Sequence, residues 1–273
     1  MKVNNGSTAA HFFATHPVFR VAEFAAFRHA RGTRGRATEA LLAYHAKTGR
    51  VLRIRRGLYA SVPLGGLPEN CDVDPFLIAG RVSDDAVLAY HTALEFHGKA
   101  HSVHQTFLYL TRRAARPFSF RGSRFRGLAF AAALKARNAE RFGVATVSRA
   151  GIDVRVTRLE RTLVDVLDRP QFAGGWEEIW RSLESVEFFD LDQVVEYALL
   201  LDNATTAAKV GFYLEQHRKE LMVQERHLDP LRTNRPQKPH YLSRSDRKPG
   251  RLVAEWNLVV PEEVLERRWQ EVA

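Results

Sequence analysis

An α+β fold is predicted for these 273 residues by three features. Helical periods occupy residues 18–48 and return from 158 onward, strand-like alternation fills much of the middle, and the charge is gathered at one end. Met1–Val62 holds eleven Lys/Arg against two Asp/Glu, a net of +9, whereas the whole chain carries +10. The other 211 residues, thirty basic and twenty-nine acidic, are close to neutral. Charge spread evenly mainly serves solubility. Charge confined to a small segment marks a partner surface, and for a basic segment the natural partner is nucleic-acid phosphate.

Val18–Ala30 has a helical period, with Phe19, Ala22, Ala26 and His29 on one stripe and Phe24 and Phe27 beside it. Gly32 and Gly35 break that helix. Thr33 suits the N-cap of a second helix over about 34–48, in which Ala37, Leu41 and Tyr44 form a core face before Gly49 ends it. Leu52 and Ile54 then alternate with Arg53 and Arg55, and Arg56-Gly57 makes a hairpin tip from which Leu58-Tyr59-Ala60 returns. Helix, turn, helix and basic hairpin is the order of a winged helix-turn-helix, whose second helix enters the major groove while the hairpin lies on the backbone or minor groove.

The candidate DNA-binding residues are Thr33, Arg34, Arg36, Thr38, Lys47, Arg50, Arg53, Arg55 and Arg56. A guanidinium at the start of the recognition helix, from Arg34 or Arg36, can grip guanine O6 and N7. Thr33 and Thr38 suit phosphate oxygens or a thymine methyl, and Arg53, Arg55 and Arg56 suit phosphates or a narrow minor groove. The alternatives are a solvated basic face and a module used for protein contacts.

Residues 1–62 are therefore expected to form one domain. Pro63–Pro68 is a linker by composition, and residues 70–273 are expected to form a larger mixed α+β domain. Asp74-Pro75 opens a helix to about Val82, and Ala86–His97 is a helix or a strand and helix. Strands are expected at 107–111, 117–126 with a turn at Gly122, 128–133, and 144–147 with 154–157 around Gly151. Helices are expected at 158–168, 176–186, 191–201 and 205–226, followed by strands at 241–242 and 252–260. Cys71 stands alone, which excludes an intramolecular disulfide and a Cys-based zinc finger. No apolar run approaches the length of a membrane span, and Met1–His16 has no signal-like apolar core, so a cytoplasmic protein without a membrane partner is expected.

Catalytic and metal chemistry find weak support. His91, His97, His101 and His104 are dense enough to raise zinc, but apart from Glu95 few acids accompany them, and no metal is expected. Asp72-x-Asp74 and Asp190-x-Asp192 lack the upstream Gly-Ser turn of a nucleotidyltransferase, and Asp74 and Asp190 read better as helix caps. Glu140 with Asp153-x-Arg155 is the nearest approach to a nuclease set, with Arg where a Lys is needed. Glu160, Arg161 and Asp165 are spaced as ion-pairing neighbours on a helix. Between Leu231 and Arg251 seven basic residues stand against Asp246 alone, either a solvated segment or a second contact for nucleic acid or an acidic partner. The expectation is no catalytic activity and no cofactor.

Five motifs carry a family resemblance. They are Val51–Tyr59 in the pattern hydrophobic-x-Arg-x-x-Gly-x-Tyr, Tyr90-His-Thr-Ala-Leu-x-x-His-Gly98, Glu160-Arg-Thr-Leu-x-Asp165, Val210-Gly-Phe-x-Leu-Glu215 and Trp256-Asn-Leu-Val-Val-Pro261. In order and spacing, from about Val18 to Pro261, the chain resembles the AbiEi family of antitoxins from type IV toxin-antitoxin systems. The resemblance implies repression of the protein's own promoter at inverted repeats through the N-terminal domain, and a C-terminal domain that counteracts a nucleotidyltransferase-like toxin, directly or indirectly. It also implies separable halves, with 1–62 needed for repression and the chain from about 70 sufficient against the toxin. Two other readings remain open. One is a winged-helix transcriptional regulator with a ligand- or partner-sensing second domain, the other a DNA-targeted nuclease.

Overall fold

The computed structural model describes residues 5–31, 37–113, 116–243, 249–267 and 269. The fold is α+β. Its first part runs α1 (Asn5–Thr15), β1 (Val18–Arg20), α2 (Val21–Ala30), α3 (Thr38–Lys47), β2 (Val51–Arg55) and β3 (Leu58–Ser61). The strands form a three-stranded antiparallel sheet in the order β1-β3-β2, with Phe19 opposite Tyr59 and Leu52 opposite Ala60. Gly57, at φ +84°, supplies the left-handed turn residue that the two-residue hairpin loop requires.

An aromatic core holds this part together. Phe12, Phe13, Phe19 and Phe24 pack with Leu42, Val51 and Tyr59, and ring centroids of Phe12 and Phe24 lie 5.0 Å apart. Two expectations change here. Phe19 belongs to a short strand, and α2 turns Phe24 inward with Val21 and Phe27 beside it, while Ala22, Ala26 and His29 face solvent. A phenylalanine ring removes far more apolar area from water than an alanine methyl, so the rings decide which stripe is buried. In α3 the buried residue is Leu42, with Leu41 and Ala46 beside it, and Tyr44 stands outside at 51% exposure.

The second part begins with α4 (Pro75–Arg81), where the Asp74 carboxylate accepts the Phe76 N–H at 2.9 Å. It continues with β4 (Val87–Leu88), α5 (His91–Phe96), β5 (Thr106–Thr111), β6 (Phe118–Phe120), β7 (Ser123–Ala129), α6 (Ala132–Ala136), β8 (Val144–Arg149) and β9 (Ile152–Thr157). These strands make one mixed sheet in the order β6-β7-β5-β4-β9-β8, parallel at β5/β7 and β4/β9 and antiparallel elsewhere. The expected strand at 128–133 is instead the end of β7 followed by α6.

Helices α7 (Leu159–Asp168), α8 (Trp176–Glu184), α9 (Leu191–Leu200), α10 (Ala204–Gln216) and α11 (Glu225–Thr233) build the largest core, against the sheet face that carries Leu108, Leu110 and Leu128. The single helix expected at 205–226 is two, because the chain turns after His217 and Met222 adopts φ +53°. β10 (His240–Tyr241), β11 (Gly250–Val253), β12 (Leu258–Pro261) and α12 (Glu262–Leu265) close the chain. β12 lies between β10 and β11, so β10 and β11 do not pair, and the expected strand 252–260 bends at Asn257, φ +48°.

The other face of the six-stranded sheet carries Phe107, Tyr109, Phe125, Val154 and Val156. Against it, through α4, pack Val18, Ile54, Leu58 and Ala60 of the first sheet. The three-stranded sheet is thus buried on both faces, by its own aromatic core on one and by the second part on the other. Ion pairs Arg20–Asp84 and Arg81–Glu23 border the junction.

Candidate nucleic-acid interface

The basic residues of the first part separate into three groups. Lys47 at the end of α3, Arg53 on β2 and Arg56 at the hairpin tip are exposed, and Arg31 adds a fourth exposed charge that stacks over Phe27 at 4.8 Å. Arg50 is half-buried between α3 and β2. Thr38 opens α3, where its hydroxyl accepts a 3.2 Å hydrogen bond from Arg28, tying the end of α2 to the start of α3. Thr33, Arg34 and Arg36 lie outside the described residues, and α3 as described begins after them.

Arg55 takes a different place from its neighbours. Strict alternation puts it beside Arg53, but the β2–β3 register slips between the two, with Arg53 opposite Tyr59 and Arg55 opposite Leu58. Such a bulge re-aims the side chains that follow it. The Arg55 guanidinium lies 4.8 Å from the Phe118 ring centroid, beside Tyr109. Burial pushes the Tyr109 phenol up, and the Arg55 charge holds that rise back. Arg55 is a junction residue, half-buried against β5 and β6.

The outward stripe of α3 reads Glu39, Ala40, Ala43, Tyr44 and Lys47. Two alanines let a helix approach another surface closely, and Tyr44 and Lys47 offer an aromatic hydroxyl and a cation at its far end. The 37–41–44 period predicts Tyr44 in the core, whereas it stands 51% exposed. The competing period 40–43–47 is equally present in the sequence and marks the exposed face.

Elsewhere the candidate groups have structural partners. Asp190 caps α9 by accepting the Gln193 N–H at 3.2 Å. Glu140 accepts from Arg112 Nε at 3.0 Å, Asp153 is exposed on β9, and Arg155 Nε donates to the Ala86 carbonyl at 3.1 Å. Arg161 is fully buried and braces three segments, bonding the carbonyls of Glu140 and Phe142 and lying 3.3 Å from Asp165, which also accepts the Tyr197 hydroxyl at 2.8 Å. Burial holds the Asp165 carboxyl above its ordinary range, although Arg161 and Tyr197 oppose the rise. Cys71 is buried at the edge of the junction.

Of the four clustered histidines, His91 and His104 meet. His97 bonds the Thr157 carbonyl at 2.8 Å, and His101 is exposed. Glu178 of α8, which spacing around the histidines did not reveal, completes the group. Among the described residues His91, His104 and Glu178 alone bring three metal-capable side chains within sharing distance. Their geometry is that of a hydrogen-bonded hub. The two imidazoles stack face to face, 3.5 Å between centroids and 7° from parallel. Ring lone pairs lie in the ring planes, so two stacked rings do not converge on one ion. Glu178 accepts from His91 Nε2, from the N–H groups of His101 and Ser102, and from the hydroxyls of Ser102 and Ser182, at 2.7–3.1 Å. Burial alone would raise its carboxyl, but those donors outweigh burial and hold it down at about 2.

Among the described residues no helix is long and apolar enough to cross a membrane. No known family matches the chain, and no curated protein sequence matches it. Its fold is similar to that in the crystal structure of the RV2827C protein from Mycobacterium tuberculosis, with a TM-score of 0.59 at 15% identity over 99% of this chain and 96% of that one.

Proposed function

We propose that the chain is a cytoplasmic, non-catalytic DNA-binding repressor whose first part is a winged helix-turn-helix, and an antitoxin of the AbiEi kind. The observation that carries the DNA-binding reading is the charge distribution: +9 of a total +10 lies in residues 1–62. There Arg31, Lys47, Arg53 and Arg56 stand exposed around α3 and the β2–β3 hairpin. The order helix, strand, helix, helix, hairpin supports it, because that order presents α3 with the hairpin beside it. Lys47, Arg53 and Arg56 neutralise phosphates, while Thr33, Arg34 and Arg36, before α3, and Tyr44 on its outer stripe are the base-reading candidates. The antitoxin half of the proposal rests on the five motifs.

A mobility-shift titration against the protein's own upstream DNA, with scrambled competitor at two salt concentrations, tests this. Sequence-selective, salt-sensitive binding that is lost in Arg34→Ala/Arg36→Ala is expected. Equal affinity for operator and scrambled DNA defeats the repressor reading. Co-expression with a nucleotidyltransferase-like toxin from the same operon tests the antitoxin half, with restored growth the expected result.

A further inference from the structure

Beyond the DNA-facing module, the second part holds a cleft built from two adjoining cavities of about 330 and 700 Å³. They share Asp168, Arg169, Asn203 and Thr205. Their combined size is that of small-molecule sites, and their linings differ. One end is polar and cationic. There Lys209, only 5% exposed, donates to the carbonyls of Leu167 at 3.0 Å and Asp168 at 3.3 Å, with Trp176 beneath its ammonium. Arg169 lies next to it, its charge favoured by the neighbouring Tyr90 phenol and Asp168 against the cost of burial.

Asp168 is the carboxylate of the cationic end, and protein donors occupy it. Its Oδ1 accepts from Asn203 at 3.3 Å and Thr206 at 2.5 Å, and its Oδ2 lies 3.4 Å from Arg169 Nε. The cleft's other carboxylate, Asp202, lines the second cavity 3.4 Å from Arg137 Nη2. The first turn of α10, thirteen residues long, lines the same end, so its positive pole adds to the two cations. The other end carries a methyl wall of Ala131, Ala132, Ala133 and Ala136 beside Leu201, with Asp202 and His240 also lining it. A cationic pole and a smooth apolar wall in one cleft match a ligand with an anionic group and a flat apolar body.

We propose that this cleft binds a nucleoside monophosphate, its phosphate between Arg169 and Lys209 and its base along the alanine wall. Arg169 supplies a planar fork for two phosphate oxygens, Lys209 a point charge, and the α10 N-terminus favours the dianion. Small side chains along α6 let a ring lie flat where longer ones would fill the space.

Isothermal titration of the full chain, without DNA, decides it. The probes are AMP, GMP, CMP and UMP, the four nucleosides lacking phosphate, and inorganic phosphate. At least one nucleotide is expected to saturate, with its nucleoside and inorganic phosphate each weaker by about tenfold or more. Arg169→Gln weakens that nucleotide by about tenfold or more through loss of the charged fork. Ala136→Leu, at an exposed position of α6, weakens it by narrowing the wall while leaving the cationic end intact. No saturable binding by any nucleotide, binding indifferent to both substitutions, or inorganic phosphate as tight as the nucleotide overturns the proposal. Should Arg169→Gln lose its circular-dichroism spectrum, Ala136→Leu carries the decision.

Discussion

Replacing Gly211 by alanine sets a small methyl against a large ring. Gly211 lies in α10 under the fully buried indole of Trp256. A Cβ at Gly211 falls 2.7 Å from Trp256 Cε3 and closer still to Cζ3 and Cη2. Carbon atoms in contact prefer about 3.5–4.0 Å, so ring or helix must retreat by about an ångström. The ring is pinned, since Nε1 donates to Glu215 Oε2 at 2.6 Å and Arg232 covers its face with the guanidinium 5.7 Å from a ring centroid. Alanine gains about 1 kcal/mol over glycine in helix propensity, whereas overpacking of this severity costs about 3 kcal/mol, leaving a net loss of about 2 kcal/mol. In thermal unfolding that is a fall in Tm of roughly 4–8 °C for a chain of this size. Combining Gly211→Ala with Trp256→Leu removes the obstruction, so the double variant is expected to be more stable than the two single losses predict by about 1–2 kcal/mol. Strict additivity, or Gly211→Ala as stable as the parent, would refute the steric account.

Four further outcomes are expected. Arg53→Ala and Arg56→Ala each shrink the log–log salt slope of DNA binding by about one. Arg55→Ala leaves that slope alone and lowers Tm, because Arg55 packs on Phe118; a slope change matching its neighbours contradicts that placement. His45 has both ring nitrogens buried without a partner among the described residues, and burial, then Arg50, pushes its pKa below the ordinary 6.5. The folded state disfavours its proton, so the associated stability is whole above about pH 6.5 and falls below it as the unfolded chain protonates. His45→Leu flattens that decline, so in unfolding midpoints the variant gains on the parent as pH falls from about 8 to about 5; parallel curves count against it. Glu178 is held at about 2 instead of its ordinary 4.5. Its contribution is whole above about pH 4.5 and is lost as pH falls toward 2, so Glu178→Gln costs more Tm at about pH 7 than at about pH 3. Equal losses at both pH values would sink the hub's electrostatic role.

Features encoded by neighbours in sequence were legible. The Asp74 and Asp190 side chains cap helices by accepting backbone N–H groups two and three residues on, and Gly57, Gly122 and Gly151 sit at tight turns. The charge of residues 1–62 was equally plain, since composition survives folding. What escaped depends on distant partners. The donors converging on Glu178 include Ser102 and His91, 76 and 87 residues away. Adjacent Phe12 and Phe13 hid α1, because two neighbouring rings break a one-face period, although both pack inward around Phe24. The inward turn of Arg55 follows a register slip that alternation does not encode. Five motifs acquire physical sense only in three dimensions, the clearest being Gly211 and Glu215 of one motif seating Trp256 of another.

The doubly buried sheet bears on how the protein can be taken apart. Cutting in the exposed stretch after Val62 strands Val18, Ile54, Leu58 and Ala60 in water on one fragment and Phe107, Tyr109 and Phe125 on the other. Freshly bared apolar faces of that kind associate with whatever they meet. Truncation is therefore the wrong scalpel here: a fragment that fails reports a torn seam rather than a missing activity. Point substitutions on Arg53, Arg56 or Tyr44, which leave the seam closed, are the way to test the proposed DNA contacts without opening it.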